Sequence, residues 1–325
     1  MTAAEPANAP SRRWTTRELL RWMTEHFRQR QVDSPRVCAD MLLGHVLGCE
    51  RMRLYMEADR PASPTELTAL RALVARAARH EPVQHLVGHA WFFTRRFEVD
   101  RSTMIPRPCT ERLVELALES LRARTHQRPI DGAPTDFESG DADGGGPAPR
   151  ILDLCTGTGC IAISLAAQLP GATVVATDVA PDALALARRN AEAHRVAERI
   201  EFREGSLWET VTVDERFDVI CANPPYIPDA EWPDVAPNVR DWEPARALRG
   251  GADGLDFVRP IAEGAPRHLA PSGTLLIEIA SCTAEAVCRL LAAVGLPGTV
   301  LPDHDGLLRV ARALRRPAAP SAAEA

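Results

Sequence analysis

The spacing of hydrophobic positions divides the chain into a helical first part and an alternating second part. Over residues 14–78, apolar side chains recur every three or four positions, which predicts amphipathic helices. Ser34-Pro35 and Ser63-Pro64 are typical of helix starts, and Gly48 is typical of a helix end. We therefore expect residues 13–89 to form a small helical domain.

The hydrophobic period changes after this domain, where aromatic and β-branched residues become frequent. Trp91-Phe92-Phe93 and Phe97-Glu98-Val99, separated by Thr94-Arg95-Arg96, predict a β-hairpin. Ile105-Pro106-Arg107-Pro108 is not helical, because each proline removes a backbone donor. Residues 90–108 are thus expected to form a hairpin linker.

From residue 150 onward, short apolar runs alternate with helical segments. Strands are predicted at 151–154, 174–178, 200–202, 217–222 and 274–279, and helices from Thr110 and at 161–169, 181–194, 255–268 and 284–294. Continuous apolar strands that alternate with helices indicate a mostly parallel sheet covered on both faces. We expect residues 109–314 to form an α/β domain, a doubly wound Rossmann-like sheet that binds ligands at its carboxyl edge.

Three segments contain few of the large apolar residues that a core needs. Residues 125–149 contain five Gly, four Pro and four Asp, which predicts a flexible insertion. Residues 1–12 and 315–325 are rich in Ala, Pro and Ser, which predicts disordered ends.

Charge and composition exclude several functions. All 38 basic positions of the 325 are arginine, so no lysine is present to form a Schiff base or to bind phosphate in a P-loop. The net charge is −6; residues 1–100 carry 15 Arg against 12 acidic residues, and the remainder carries 23 against 32. Neither part has the strongly basic composition of a nucleic-acid-binding protein.

Cysteine usage points to a reduced environment. The eight cysteines include no CxxC pair and no spacing typical of metal ligands, so we predict no metal site. We find no signal peptide and no long apolar run, and we expect a cytoplasmic protein that does not enter a membrane.

A glycine-containing loop, Cys155-Thr156-Gly157-Thr158-Gly159, joins the first strand of the α/β domain to its helix. The glycines permit a tight turn and a close approach of the backbone to a ligand. Asp178 ends the next strand, where a carboxylate can bind two ribose hydroxyls. Loop and carboxylate together predict an adenosine-containing cofactor. They distinguish NAD from S-adenosylmethionine poorly, because Gly157-x-Gly159-x-x-Ala162 also matches the dinucleotide fingerprint.

The tetrapeptide Asn223-Pro224-Pro225-Tyr226 follows another strand of the same sheet and separates these possibilities. The two prolines end the strand and hold Asn223 beside the cofactor loop. The amide oxygen of Asn223 and the carbonyl of Pro224 are acceptors for the N–H groups of a planar amide, and Tyr226 offers a face for stacking. These groups suit methyl transfer to a poor nitrogen nucleophile, whereas hydride transfer would need a partner that we do not find.

The chain resembles the HemK/PrmC-type N(5)-glutamine methyltransferases over residues 35–314, interrupted by the 125–149 insertion. The motifs that carry this resemblance are Asn223-Pro224-Pro225-Tyr226, Ile105-Pro106-Arg107-Pro108-x-Thr110-Glu111, Pro82-Val83-x-His85-Leu86-x-Gly88, Val239-Arg240-Asp241-Trp242-Glu243-Pro244 and Gly250-Gly251-Ala252-Asp253-Gly254-Leu255-Asp256. The resemblance implies S-adenosylmethionine-dependent methylation of the glutamine in the Gly-Gly-Gln motif of peptide chain release factors.

The same resemblance implies roles for the parts of the chain. The helical domain would dock the protein substrate, the 155–159 loop and Asp178 would hold the cofactor, and residues 223–226 would grip the glutamine. Arg107 and Glu111 would either line the site or pair with each other to anchor the linker.

Some residues depart from the family pattern. Cys155 stands where release-factor enzymes usually have glycine, and Cys109 replaces their usual acid. Ser206 stands where the family often has an aspartate near the adenine, so Leu207 or Trp208 is expected to cover the base.

Two alternative substrates remain open at this stage. The chain is similar at Cys155, Cys160 and Ala90-Trp91-Phe92 to a sister group that methylates a glutamine of a large-subunit ribosomal protein. An amino-DNA methyltransferase uses a related tetrapeptide, but it would need a basic face for its target.

Overall fold

A computed structural model describes residues 13–127 and 148–316, with only the backbone described for residues 125–127. Residues 128–147 of the predicted insertion lie outside the described residues. The same holds for the predicted tail 1–12 and for residues 317–325 of the other predicted tail.

The described residues form eleven α-helices and nine β-strands. In chain order, the helices are α1 (Thr16–Gln29), α2 (Pro35–Leu47), α3 (Arg51–Met56), α4 (Pro64–Ala77), α5 (Val83–Val87), α6 (Pro108–Gln127), α7 (Cys160–Gln168), α8 (Pro181–Ala193), α9 (Pro237–Arg240), α10 (Val258–His268) and α11 (Ala284–Ala293). The strands are β1 (His89–Phe92), β2 (Arg95–Glu98), β3 (Arg150–Leu154), β4 (Thr173–Asp178), β5 (Ile200–Glu204), β6 (Phe217–Ala222), β7 (Leu269–Glu278), β8 (Gly298–Pro302) and β9 (Leu308–Leu314). None of these helices is long and apolar enough to cross a membrane.

One compact unit consists of the chain up to Gly88 together with Pro237–Trp242. Its core is apolar and draws on helices α1 to α5. The largest fully buried side chains there are Met23, Phe27, Leu42, Leu43 and Leu54. This is the helical unit that the periodicity predicts, with the short α9 segment as an addition from later in the chain.

The two predicted Ser-Pro helix starts differ in how they are capped. The Ser63 hydroxyl accepts from the Glu66 backbone N–H at 3.3 Å, and the Glu66 carboxylate accepts from the Ser63 backbone N–H at 2.7 Å. Ser34 instead lies in the left-handed region, at φ +47°, and its side chain makes no capping hydrogen bond. Ser34 therefore occupies the predicted N-cap position before Pro35, but its side chain does not cap α2.

This contrast gives a matched test of helix capping. We expect Ser63→Ala to lower the free energy of unfolding by about 0.5–2 kcal/mol, because an orphan backbone donor loses its acceptor. Ser34→Ala should change it by a few tenths of a kcal/mol at most, as is usual for a change that removes no cap. Urea unfolding followed by circular dichroism measures both, and equal losses would contradict the assignment.

The second compact unit begins at His89 with the predicted hairpin. Strand β1 pairs antiparallel with β2, and the turn is Phe93-Thr94, with φ values of +48° and +64°. The expected three-residue connection is therefore wrong. The observed turn has two residues and begins one position earlier. A two-residue turn with both φ angles positive matches the twist of the strands that it joins.

The remaining strands form one seven-stranded sheet in the order β5-β4-β3-β6-β7-β9-β8. Strands β3 to β7 pair in parallel, and β9 and β8 add an antiparallel edge. Helices bury both faces, so the predicted doubly wound Rossmann-like fold is confirmed. The sequence pattern does not predict strands β8 and β9, because Arg309 and Arg312 interrupt the apolar residues of β9 and no long apolar run marks either strand.

The predicted starts of three elements in the α/β domain differ from the observed starts by more than one residue. Helix α6 begins at Pro108, since proline suits the first helical turn. Helix α10 begins at Val258, and β7 begins five residues before the predicted Thr274. None of these shifts moves the carboxyl edge of the sheet. The strand order reverses between β3 and β6, which is where such folds bind ligands.

Candidate active site

A pocket opens at this carboxyl edge. It is lined by the segment before α6, the loop after β3, and the residues that follow β4, β5 and β6. The lining residues are Ser102, Thr103, Met104, Pro106, Cys155, Thr156, Gly157, Thr158, Cys160, Ile161, Thr177, Asp178, Val179, Ala180, Ala183, Gly205, Ser206, Leu207, Asn223, Pro225, Arg246, Ala247 and Phe257. The fold thus brings together the predicted loop, the predicted carboxylate and the first residue of the predicted tetrapeptide.

Asp178 ties the loop to the next strand. Its Oδ2 accepts from the backbone N–H of Gly157 at 2.9 Å, and its Oδ1 accepts from the backbone N–H of Ala180 at 3.0 Å. Each carboxylate oxygen has a second lone pair, so both can also accept from hydroxyl groups. The placement of Asp178 is therefore compatible with the predicted contact to a ribose.

Cys155 stands in a backbone conformation that favours glycine. Its φ is +60°, and a side chain in this left-handed region costs free energy because Cβ crowds the following carbonyl. This conformation gives a physical reason for the glycine that the resembled family usually has there. Burial and the nearby Asp178 and Asp153 raise the pKa of the Cys155 thiol, so it is held neutral.

Gly159 has a packing role. Its φ is +79°, and a Cβ built on it would stand 2.9 Å from the Cδ1 of Ile163 and 3.2 Å from the Cβ of Ala187. The glycine therefore lets α7 start close to α8. As far as the described residues show, Gly159 is not part of the pocket wall.

A fully buried carboxylate, Asp153, lies in β3 beneath the loop. Its Oδ2 accepts from the Thr156 hydroxyl at 2.6 Å and from the Ala162 backbone N–H at 3.2 Å. Burial raises the pKa of Asp153 to about 7. The sequence reasoning missed this residue, although an acid inside an otherwise apolar strand was a signal for it.

The segment after β5 supplies an apolar wall. Leu207 lines the pocket at a φ of +47°. Trp208 packs outside this pocket: its indole N–H donates to the Pro260 carbonyl at 2.7 Å, and its ring stacks on His268. Of the two residues expected to cover an adenine, Leu207 is therefore the one at the pocket.

The tetrapeptide divides its residues between two cavities. Asn223 and Pro225 line the pocket described above, whereas Tyr226 lines a neighbouring cavity with Ala280 and Arg309. The side-chain Nδ2 of Asn223 donates to the Thr110 hydroxyl at 3.1 Å, and the Tyr226 hydroxyl donates to Glu278 at 3.0 Å. Pro224, which lies between Asn223 and Tyr226 in the chain, is buried.

The linker is anchored by Glu243, which is almost fully buried. Its carboxylate pairs with the Arg107 guanidinium and accepts from the Ile105 backbone N–H at 3.2 Å. Glu111 instead accepts from the Phe93 backbone N–H at 2.9 Å. The expected pairing of Arg107 with Glu111 is thus wrong; Arg107 pairs with the loop that follows the tetrapeptide.

The hydrogen bonds of the loop decide between the two adenosine-containing cofactors. A dinucleotide needs loop and helix N-terminal N–H groups for its pyrophosphate. Here the N–H of Gly157 donates to Asp178, that of Gly159 to the Thr156 carbonyl, and that of Ala162 to Asp153. These donors are already paired, two of them with carboxylates. The carboxylate of Asp178 at the pocket favours a cationic sulfonium over a diphosphate.

The chemistry of the pocket thus fits S-adenosylmethionine. Asp178 offers acceptors for ribose hydroxyls, and Leu207, Val179 and Phe257 offer apolar surface for a base. Within residues 13–127 and 148–316, no group of three or more His, Cys, Asp or Glu side chains is placed to hold a metal ion.

The fold and the pocket define a Rossmann-like, S-adenosylmethionine-dependent methyltransferase. Family models agree: residues 18–88 match the PrmC N-terminal domain, and residues 144–237 match the methyltransferase small domain. The catalytic domain of hMettl16, solved in complex with MAT2A 3'UTR hairpin 6, has a similar fold, with a TM-score of 0.50, 15% identity, and coverage of 79% of this chain and 84% of that one.

Two curated relatives are both named release factor glutamine methyltransferase. The one from Chlorobaculum tepidum is 40% identical over 299 residues, which cover 91% of this chain and 96% of the relative. The one from Geobacter sulfurreducens is 41% identical over 298 residues, which cover 91% and 95%. The chain belongs to the release factor glutamine methyltransferase family.

Asp178 provides a test of the cofactor pocket. We expect Asp178→Ala to weaken S-adenosylmethionine binding by about 1–3 kcal/mol, because hydrogen bonds to a charged acceptor are lost. Isothermal titration calorimetry measures this change. Glu204→Ala, which removes an exposed carboxylate at the end of the adjacent strand, is the control. Equal affinity in the Asp178 variant and the parent would refute the ribose contact.

Asp153 makes stability depend on pH. Because burial raises the pKa of Asp153 to about 7, the folded chain binds a proton that the unfolded chain releases between pH 4 and 7. The contribution of Asp153 to stability therefore falls as the pH rises through this range and is constant above it. We expect the parent chain to lose stability relative to Asp153→Asn from about pH 4 to pH 7. Urea unfolding of both chains across this range measures the difference, and parallel profiles would contradict it.

Proposed function

We propose that this protein transfers a methyl group from S-adenosylmethionine to the side-chain amide nitrogen of the glutamine in the Gly-Gly-Gln motif of peptide chain release factors. Two relatives with about 40% identity over most of the chain, both named for this activity, support the proposal. Release factors act in translation, so we place the protein in the cytoplasm.

The orientation of Asn223 is the observation that carries the proposal. Its Nδ2 is engaged by the buried Thr110 hydroxyl, so its Oδ1 is the atom left to meet a substrate. An oxygen in this position accepts from an N–H of a primary amide. Asn223 lines the same pocket as Asp178, which supports an acceptor beside the proposed cofactor site.

The proposed reaction depends on positioning. S-adenosylmethionine supplies an electrophilic methyl group on a sulfonium. An amide nitrogen attacks weakly, because its lone pair is delocalised into the carbonyl. Asn223 Oδ1 and the Pro224 carbonyl would each accept one N–H, holding the amide nitrogen toward the cofactor pocket. As the C–N bond forms, the bond between the methyl carbon and sulfur would break and S-adenosylhomocysteine would leave. Positive charge would develop on the nitrogen, and both acceptors would stabilise it.

Tyr226 is proposed to bound the amide on one side. Its hydroxyl is fixed by Glu278, and the Arg309 guanidinium lies 5.9 Å from the centre of its ring. Burial raises the pKa of Tyr226 well above its usual value, so it stays neutral and does not act as a base. The proton released from the methylated nitrogen is strongly acidic and can pass to water.

We propose that Cys155, Thr156, Gly157, Thr158, Asp178 and Leu207 hold the cofactor, with Asn223 at the junction with the substrate. All of these residues line the pocket. Gly159 contributes by setting the start of α7. The helical unit is proposed to dock the release factor, as its match to the PrmC N-terminal domain suggests.

Substrate choice is tested by direct comparison of the two candidate substrates. Purified protein and labelled S-adenosylmethionine are incubated with release factors and, separately, with large ribosomal subunits, and peptide mass spectrometry locates the methyl group. We expect label on the Gly-Gly-Gln glutamine alone. Label on a ribosomal protein alone would overturn the choice of substrate, and label on neither would overturn the proposed function.

Asn223 should separate substrate positioning from cofactor binding. We expect Asn223→Ala to lower kcat on release factors by about 100-fold or more, as when a preorganised acceptor of developing charge is removed. The affinity for S-adenosylmethionine, measured by calorimetry, should stay within about threefold, because we assign Asn223 mainly to the substrate. A threefold change in affinity corresponds to less than about 1 kcal/mol. An unchanged kcat would refute the role of Asn223.

A further inference from the structure

The segment between the hairpin and α6 borders the cofactor pocket, and one buried amide on α8 fixes the start of this segment. We propose that Asn190 is a positioning residue for the cofactor, which holds residues 99–106 against the loop after β3. We call residues 99–106 the strap. This inference deepens the proposed function, because it rests on the proposed cofactor pocket. It does not depend on which protein is methylated.

Asn190 is almost fully buried, and both ends of its side-chain amide are hydrogen-bonded. Its Oδ1 accepts from the Glu98 backbone N–H at 2.8 Å, and its Nδ2 donates to the Glu98 carbonyl at 3.1 Å. The same Nδ2 donates to the Thr158 carbonyl at 3.0 Å. An amide side chain offers one acceptor oxygen and two N–H donors, so this arrangement uses both donors. One side chain therefore joins the end of β2 to the loop that lines the pocket.

The strap is fixed at its other end by the buried carboxylate of Glu243, which accepts from the Ile105 backbone N–H. Between these two anchors, residues 102–104 line the cofactor pocket. A Cβ built on Gly157 would lie 4.0 Å from the Cβ of Thr103, so the strap packs directly against the cofactor loop. Asn190 thus sets one end of a pocket wall relative to the loop that the wall contacts.

The neighbouring residue on α8, Arg189, contacts the same part of the chain in a different way. Its guanidinium pairs with the Glu98 carboxylate at 2.9 Å and with the Asp100 carboxylate at 3.4 Å, and all three side chains are about half exposed. Exposed ion pairs contribute little, because water and salt screen them. A buried carbonyl that loses its donor, by contrast, stays unpaired. We therefore assign the positioning of the strap to Asn190, and Arg189 provides a matched control.

Removing the amide should release the strap and weaken cofactor binding. Asn190→Leu keeps a side chain of similar size and makes none of the three hydrogen bonds. We expect the dissociation constant for S-adenosylmethionine, measured by isothermal titration calorimetry, to rise about tenfold, because binding must then order the strap as well. Arg189→Gln removes the exposed ion pairs to the same part of the chain and should leave the constant within about twofold.

A second variant keeps the test decisive where Asn190→Leu does not fold. Asn190→Asp keeps the size of the side chain and the acceptor for the Glu98 N–H, but it lacks both donors. The carbonyls of Glu98 and Thr158 then face an oxygen. We expect the dissociation constant to rise about three- to tenfold. Circular dichroism and urea unfolding establish that each variant is folded under the conditions of the titration.

A coupling measurement separates positioning from general damage. Met104→Ala truncates a strap side chain that lines the pocket, so it should raise the dissociation constant about fivefold in the parent, as apolar contact with the cofactor is lost. In the Asn190→Leu or Asn190→Asp background the strap is no longer held in place, and the same truncation should change the constant by less than about twofold. If Asn190 only stabilised the fold, the two effects would multiply.

Hydrogen–deuterium exchange measures the strap directly and needs no turnover. We expect S-adenosylhomocysteine to slow exchange in a peptide that covers residues 98–106 of the parent. In the Asn190 variants, the same peptide should exchange about tenfold faster without the cofactor. Peptides from β6 and β7, which lie beyond β3 in the sheet, should change less. Faster exchange of equal size in all of these peptides would indicate a loss of global stability and would contradict the positioning role.

The outcomes separate this inference from the proposed function. Unchanged cofactor affinity in the folded variants, effects that multiply in the double variant, or no protection of the strap peptide in the parent would each overturn the role of Asn190 and leave the proposed function standing. A parent chain that binds S-adenosylmethionine but methylates no glutamine would refute the proposed function, and the calorimetry and the exchange would still decide the role of Asn190.

Discussion

Carboxylates removed from water at the carboxyl edge of the sheet are the constraint on which the site depends. Asp153 and Glu278 are fully buried, and Asp178 is partly buried at the end of β4. Donors placed against a buried carboxylate offset part of its cost of burial, so each one organises the backbone or side chains nearby. Asp153 and Asp178 thereby shape the loop after β3, and Glu278 holds the tetrapeptide after β6.

This arrangement explains how a common fold is directed to one cofactor. A Rossmann-like sheet binds many adenosine-containing ligands, and glycines in its first loop do not choose between them. The choice follows from where the loop N–H groups point. Because the N–H of Gly157 donates to Asp178, the pocket presents a carboxylate beside a loop donor that a pyrophosphate would use. A sulfonium cofactor benefits from the same charge.

Much of the fold and part of the site could be predicted from the sequence. The parallel strands, the loop and Asp178 follow from local patterns that depend on a few adjacent residues. Glu278 and Thr110 could not be assigned in this way, because Thr110 meets Asn223 across 113 positions and Glu278 meets Tyr226 across 52. The contact between Glu278 and Tyr226 requires β7 to pair beside β6, and only the assembled sheet shows this pairing. Gly159 is a case in which the sequence motif is present but its role differs. This glycine serves helix packing, and its neighbours in the loop line the pocket.

The central claim is that one pocket holds the methyl donor on Asp178 and presents the oxygen of Asn223 to a glutamine amide. A crystal structure of the protein with S-adenosylhomocysteine and a Gly-Gly-Gln peptide tests this most directly. We predict ribose hydroxyls on Asp178 and the glutamine amide nitrogen within hydrogen-bond distance of Asn223 Oδ1, with Asn223 Nδ2 still on Thr110. A glutamine amide bound by other groups, or an Asn223 amide turned to face it with nitrogen, would contradict the account.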